Sequence, residues 1–363
     1  NNIFDKTVNL ESLDLSDNEI EYIQPGLFKS LKNLTSLYIS NNKIKALESN
    51  TFEGLSAISY FHISGNPIQS ISCEVFTEFL ELEYLTLEDL EFETLPTNCF
   101  LNLKKLYHLD IKKTNLKNIN KGVFSGLDRL KQLYLSNNKI STIDVGAFKD
   151  LPVIDSISLD QNSISKIDDK TFKDLSSLTS LSLSENQIAL LDSSVFETLS
   201  NLRFLYLRGN QLSELSDDVF SKLAELVHID LSDNGISSLP NNIFKSLKLL
   251  NTLNLSKNKF DVLKKDTIPF ISGLKYLYLS ENKIKEISID AFENFKSIFD
   301  IDLEKNKLQH INKDLFKGLN ELYSLNLQDN QISDLNPNTF DNLPALSRLV
   351  IDGNPVTPEV IDI

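Results

Sequence analysis

Apolar residues recur along the whole chain with a period of 24. Copies of the pattern LxxLxLxxNxIxxIxxxxFxxLxx begin at Leu10, Leu34, Ile58, Leu82 and onward to Leu346, without insertion or deletion. Fourteen copies are complete, over residues 10–345, and residues 1–9 and 346–363 are partial copies. This predicts a single repeat domain over 1–363, with no linker or low-complexity stretch to mark a second. Within each copy the LxL step alternates apolar with outward residues, the mark of a half-buried strand. One strand per copy, stacked in parallel, needs a returning segment, and the rest of the copy supplies it. The late aromatic, Phe28, Phe52, Phe76 and onward, fails once among the complete copies, at Ile268. Stacked rings there would fill the far side of each coil. One coil cannot bury its own apolar side, so each depends on its neighbours.

The single polar position of the core is the Asn. Its side chain both donates and accepts, which suits it to pair backbone groups where the chain leaves the strand. The copies align as a ladder of Asn18, Asn42 and Asn66, then Asn138 through to Asn354. Two adjacent copies break it, with Leu90 and Thr114 at the Asn position. Either the break is a tolerated irregularity, or it reshapes a binding surface; in both cases bonds between coils must be remade, with a local change of curvature.

The repeated pattern resembles the leucine-rich repeat family, in its 24-residue subclass with the late Phe, over essentially the whole chain. The uniform spacing is more similar to Lingo, acid-labile-subunit and slit-like proteins than to Toll-like receptor ectodomains. The resemblance implies an α/β fold class: a curved solenoid, or horseshoe, with a parallel sheet on its concave face and irregular or short helical convex segments. It also implies an extracellular protein, secreted or the ectodomain of a cell-surface receptor. Members usually carry cysteine-rich caps, and none is visible here. The chain contains no Met and opens on "NNIFDK", which reads as a processed or excised segment.

Charge narrows the function. A net charge of −15 argues against nucleic-acid binding, which needs clustered Lys and Arg. No run of about 18 apolar residues is present to span a membrane. Phosphate-loop, GxSxG, HExxH, CxxC and calcium-loop spacings are all missing, so neither an enzyme nor a cofactor or metal site is expected. Cys73 and Cys99 lie 26 residues apart, one coil plus two. In an oxidising compartment they are expected to form a disulfide, at a separation near the upper limit of its reach, with two buried thiols as the alternative. Asn33 and Asn254 open glycosylation sequons, as chance alone would give in an Asn-rich chain.

Binding residues are expected on the outward strand positions, the third and fifth of each copy. There Tyr38, Tyr60, His62, Tyr84 and His108 cluster, and Phe204, Tyr206, Arg208 and His228 form a second group. Exposed aromatics are enriched at binding hot spots, although Tyr at the fifth position is also ordinary strand composition. Asp300, Asp302 and Glu304 form an acidic face that reads as solvated surface. A protein ligand on the concave face is the leading expectation, with a second copy of the chain admitted. A secreted structural or carrier protein is the alternative.

Overall fold

The computed structural model describes residues 3–356. It divides into two compact units, one up to Ser182 and one from Leu183. Each is built of stacked coils, every coil giving one short strand to a parallel sheet; off that sheet, two-residue strands also pair in parallel, Asn118–Ile119 with Thr142–Ile143, Val262–Leu263 with Glu286–Ile287 and His310–Ile311 with Asp334–Leu335. The first unit holds eight such strands among the described residues: Ser12–Asp14, Ser36–Tyr38, Tyr60–His62, Tyr84–Thr86, His108–Asp110, Gln132–Tyr134, Ser156–Ser158 and Ser180–Ser182. The second holds seven: Phe204–Tyr206, His228–Asp230, Thr252–Asn254, Tyr276–Tyr278, Asp300–Asp302, Ser324–Asn326 and Arg348–Val350. Partners stand 24 residues apart, as in Tyr60 with Tyr84 and Tyr276 with Asp300. The sequence period is therefore the coil.

Alternation does what the pattern requires. In the second copy Leu34, Leu37 and Ile39 are fully buried, while Ser36 and Tyr38 stay half-buried on the outer face of the sheet. The returning segments are chains of tight turns, with bonds such as Lys29 N–H to the Gly26 carbonyl (3.2 Å) and Leu31 N–H to the Phe28 carbonyl (2.9 Å). Helix is confined, among the described residues, to two 3-10 turns, Cys73–Phe76 and Pro337–Thr339.

The Phe rings stack behind the sheet. Phe28 and Phe52 lie 6.2 Å apart, Phe124 and Phe148 5.9 Å, and Phe148 and Phe172 6.1 Å. In the second unit Phe196–Phe220 and Phe292–Phe316 repeat the spacing at 6.2 and 6.1 Å. Equivalent atoms of successive strands stand only about 4.8 Å apart. A coil wider on the ring side than on the sheet side bends each unit with the sheet inside.

A second constraint escapes the apolar pattern. The residue before each ladder position turns into the left-handed region, with φ of 53° at Asn41, 54° at Gln161 and 55° at Lys257, and Gly65 and Gly209 take the same place. Side chains with a Cβ are disfavoured there. Gln161 is exposed, so Gln161→Gly should raise stability by about 0.5–1 kcal/mol, read as a higher urea midpoint.

The Asn ladder is bonded as its chemistry suggests and mostly buried, with Asn18 exposed in the first coil and Asn234 and Asn354 half-buried. The Asn258 amide donates to Leu231 O of the preceding coil (2.9 Å) and Leu255 O of its own (3.1 Å), and its oxygen accepts Ile236 N–H (3.0 Å). At the break, buried Leu90 offers no such bonds, and Ile68 N–H turns to the Asn66 carbonyl (2.8 Å). Thr114 acts as a relay. Its N–H (2.9 Å) and hydroxyl both donate to Asn138 Oδ1, and the hydroxyl accepts Leu116 N–H (3.3 Å). Strand register runs through the break unaltered, from Tyr84 with His108 to His108 with Gln132. Disturbance shows instead at the rings, where Phe76 and Phe100 tilt by 41° against 11° for Phe28 and Phe52.

Cys73 and Cys99 form the disulfide across this break. Their Cα atoms stand 4.5 Å apart, near the short end of the usual range rather than the upper limit expected from the sequence. Cys73 opens a 3-10 turn, so the two-residue offset advances less than extended chain would. Peptide mapping without reduction should return residues 73 and 99 in one linked species, and alkylation of both thiols would contradict the bond.

Candidate interaction faces

Neighbouring strands carry residues of one column side by side at about strand spacing, so consecutive aromatics in a column must meet. The first unit does this over several coils. Tyr38 stacks on His62 at 5.0 Å, and Tyr60 on Tyr84 at 4.8 Å with planes 10° apart. The line continues from Tyr84 to His108 (5.7 Å) and from His108 to Tyr134 (5.2 Å). All five residues proposed from the sequence thus lie on one face. Tyr107 joins from the strand edge, 6.1 Å from Tyr84, and lysines cap the margins, Lys112 over Tyr134 and Lys131 over Tyr107. The fifth-position column includes Tyr134, but Tyr107 sits at the second position, which the two-column reading omits. Tyr60 is 39% exposed and Tyr107 37%, so the ribbon offers ring faces to solvent.

Electrostatics sharpen the picture. Burial, and secondarily the charge of His108, hold His62 below its ordinary pKa of 6.5. His108 Nδ1 donates to Gln132 Oε1 at 2.9 Å, which fixes its ring. Asp110, placed outward by the sequence pattern, is instead buried. Its carboxylate accepts Lys112 N–H (3.0 Å) and pairs with Lys112 Nζ (2.9 Å). The same local cap recurs at Asp14, Asp230, Asn254, Asp302 and Asn326, each accepting the N–H two residues on. Asp and Asn in the fifth column therefore close turns.

In the second unit Tyr206 meets His228 at 5.1 Å, and Phe204 is its register partner. Arg203 lies 5.8 Å over the Phe204 ring. Arg208 leans on Glu185, Nε to Oε1 3.4 Å. His228 is also held below 6.5 by burial, against the opposing pull of Asp230, and its buried Nε2 has no hydrogen-bond partner. A third aromatic group was missed because it too uses the second position. Phe299 and Tyr323 stack at 4.9 Å, and Phe299 meets Tyr276 edge-on at 5.9 Å.

Of the sequon residues, Asn33 is exposed and donates to the Val8 carbonyl at 3.1 Å, whereas Asn254 sits half-buried on the sheet face as a turn cap. An open cleft of about 750 Å3 lies off the sheet face around Ser237, Asp261, Lys265, Glu286 and Asp290, with Lys265 paired to Glu293 at 3.1 Å. Among the described residues no group of three or more His, Cys, Asp or Glu is placed to hold a metal ion, and no helix is long and apolar enough to cross a membrane.

The repeat, the parallel strands and the buried Asn ladder agree with the family comparison. The leucine rich repeat model matches residues 8–68, 104–164, 152–212, 207–260, 248–308 and 300–356, and the chain belongs to that family. The internal stretch left unmatched, 69–103, holds both cysteines and Leu90. No curated protein sequence matches this one. Several solved structures share the fold. A leucine-rich repeat protein of Leptospira interrogans is 23% identical, over 98% of this chain and 93% of its own, with a TM-score of 0.79. Drosophila Toll, in its complex with Spatzle, is 21% identical over 91% of this chain, with a TM-score of 0.78. The present chain covers 46% of that Toll chain, about half its length. An internalin of Listeria monocytogenes is 22% identical over 94% of this chain and 86% of its own, with a TM-score of 0.62.

Proposed function

We propose that this chain is an extracellular protein-recognition module, the ligand-binding part of a receptor, adhesion or innate-immune protein, and that it binds rather than catalyses. The observation that carries the reading is the ribbon of Tyr38, Tyr60, His62, Tyr84 and His108. Tyr38 and His62 stack on each other, and Tyr60, Tyr84 and His108 follow one another ring to ring, so these side chains lose little freedom when a partner covers them. Phe204, Tyr206, Arg208 and His228 supply a smaller second contact. The disulfide favours an oxidising compartment. Toll is solved in complex with a protein, Spatzle, on the same fold.

The test is a capture experiment with the purified chain. Proteins retained by the wild type should be lost by the double variant Tyr60→Ala, Tyr84→Ala, with an unchanged circular dichroism spectrum. Retention by that variant, with loss on substitution away from the sheet such as Leu190→Ser, would place the interface elsewhere.

A further inference from the structure

The second unit carries a face of different chemistry. Tyr276 and Tyr278 of one strand stand in register with Asp300 and Asp302 of the next. Along the edge, the exposed Phe299–Tyr323 stack borders the same carboxylates, with Phe299 against Tyr276. Two carboxylates two residues apart on a strand are about 7 Å from each other, on one face. Asp300 accepts a hydrogen bond from Ser324, and Asp302 accepts from Ser280 and from Glu304 N–H (3.0 Å). The nearby Lys305 is taken by Glu304 at 2.7 Å. Arg348 lies close enough to favour the Asp300 charge but is not ion-paired to it. Burial pushes both aspartates above their ordinary carboxylate range. They are thus partly desolvated anions, with Tyr276 and Tyr278 on one side and Ser324 and Asn326 on the other, on a chain of net charge −15.

We propose that this face docks a segment of a protein partner that presents arginine side chains, guanidinium planes lying on Tyr276, Phe299 and Tyr323 with their N–H forks on Asp300 and Asp302. Charge complementarity selects a cation, and the flat rings beside the carboxylates select a planar one. Guanidinium stacks on aromatics and binds carboxylates in bidentate fashion, whereas an ammonium is a strongly hydrated point charge. An extended segment places alternate side chains at the same ~7 Å repeat as the two aspartates. The face is distinct from the ribbon of the first unit, and its test does not depend on it.

The probe is a labelled peptide, Gly-Arg-Gly-Arg-Gly-Arg-Gly, titrated by fluorescence anisotropy beside its lysine and citrulline counterparts. The arginine peptide is expected to bind saturably, the lysine peptide at least about threefold more weakly, and the citrulline peptide not at all. Asp300→Asn with Asp302→Asn should weaken binding at least about tenfold, as should Phe299→Ala with Tyr323→Ala. The first pair leaves the turn intact, since Asn254 and Asn326 cap the equivalent turns. Glu214→Gln with Glu225→Gln removes the same charge from elsewhere in the unit and should change nothing. An equal loss in that control, citrulline binding as tight as arginine, or no saturation up to about 1 mM overturns the proposal.

Discussion

Asn138→Ala is expected to destabilise the first unit by roughly 2–4 kcal/mol, more than an isolated hydrogen bond is worth. The reason is the number of buried groups that meet on this side chain. Its amide donates to Ile111 O (2.7 Å) and Leu135 O (3.0 Å), and its oxygen receives both the N–H and the hydroxyl of Thr114. Thr114 is itself buried, so water cannot replace the lost partners. The Thr114 hydroxyl also holds Leu116 N–H, and that bond loosens with it. Native-state hydrogen exchange should show the Thr114 and Leu116 amides deprotected first, with a lower urea midpoint for the unit. Leu90→Asn is the contrast. It loses apolar burial but regains ladder partners, and its net effect should stay below about 1.5 kcal/mol. Equal protection of both amides in Asn138→Ala would show that the relay does not hold the coil.

These two positions also mark what the sequence makes legible. The 24-residue period is read directly because every coil repeats the same burial, and the strands follow at the same offset. The ladder is legible because an amide side chain can give two hydrogen bonds to a buried turn and still accept one from the coil before it. Other features are hidden by the same regularity. Asp110 and Asp302 look outward by alternation, yet each folds onto the N–H two residues later, a local preference that apolar periodicity does not encode. The left-handed turn before each Asn is occupied by Asp, Asn, Lys, Glu or Gln as well as Gly, so no residue type announces it. The Cys73–Cys99 geometry depends on a 3-10 turn that the repeat does not specify. Tyr107, Phe299 and Tyr323 were missed because the second position is polar in most copies, although aromatics there in consecutive coils are a signal. The lapse of the family pattern over 69–103 coincides with Leu90 and both cysteines, where a disulfide adds a covalent tie beside a missing amide bond.

The double variant Tyr60→Ala, Tyr84→Ala is expected to cost at least ~2 kcal/mol of partner affinity, about thirtyfold, while leaving the fold intact. Both side chains stand on the sheet face, above the buried Phe61 and Leu85 that hold the strands. Removing one ring strips the other of its stacking partner, so the two losses should couple rather than add. The same ribbon carries a dependence on pH. His62 has a folded-state pKa below its ordinary 6.5, chiefly through burial. The unfolded chain therefore takes up that proton first, and the stability His62 contributes is present above about pH 6.5 and lost as pH falls through the folded value. Acidification from pH 7 should lower the stability of the first unit, and His62→Gln should flatten that part of the profile. Partner affinity should follow, since a charged His62 against Tyr38 and near His108 alters the surface the partner meets. An affinity unchanged in the double tyrosine variant would separate binding from this ribbon, and an acid limb unaltered by His62→Gln would assign the loss of stability to another group.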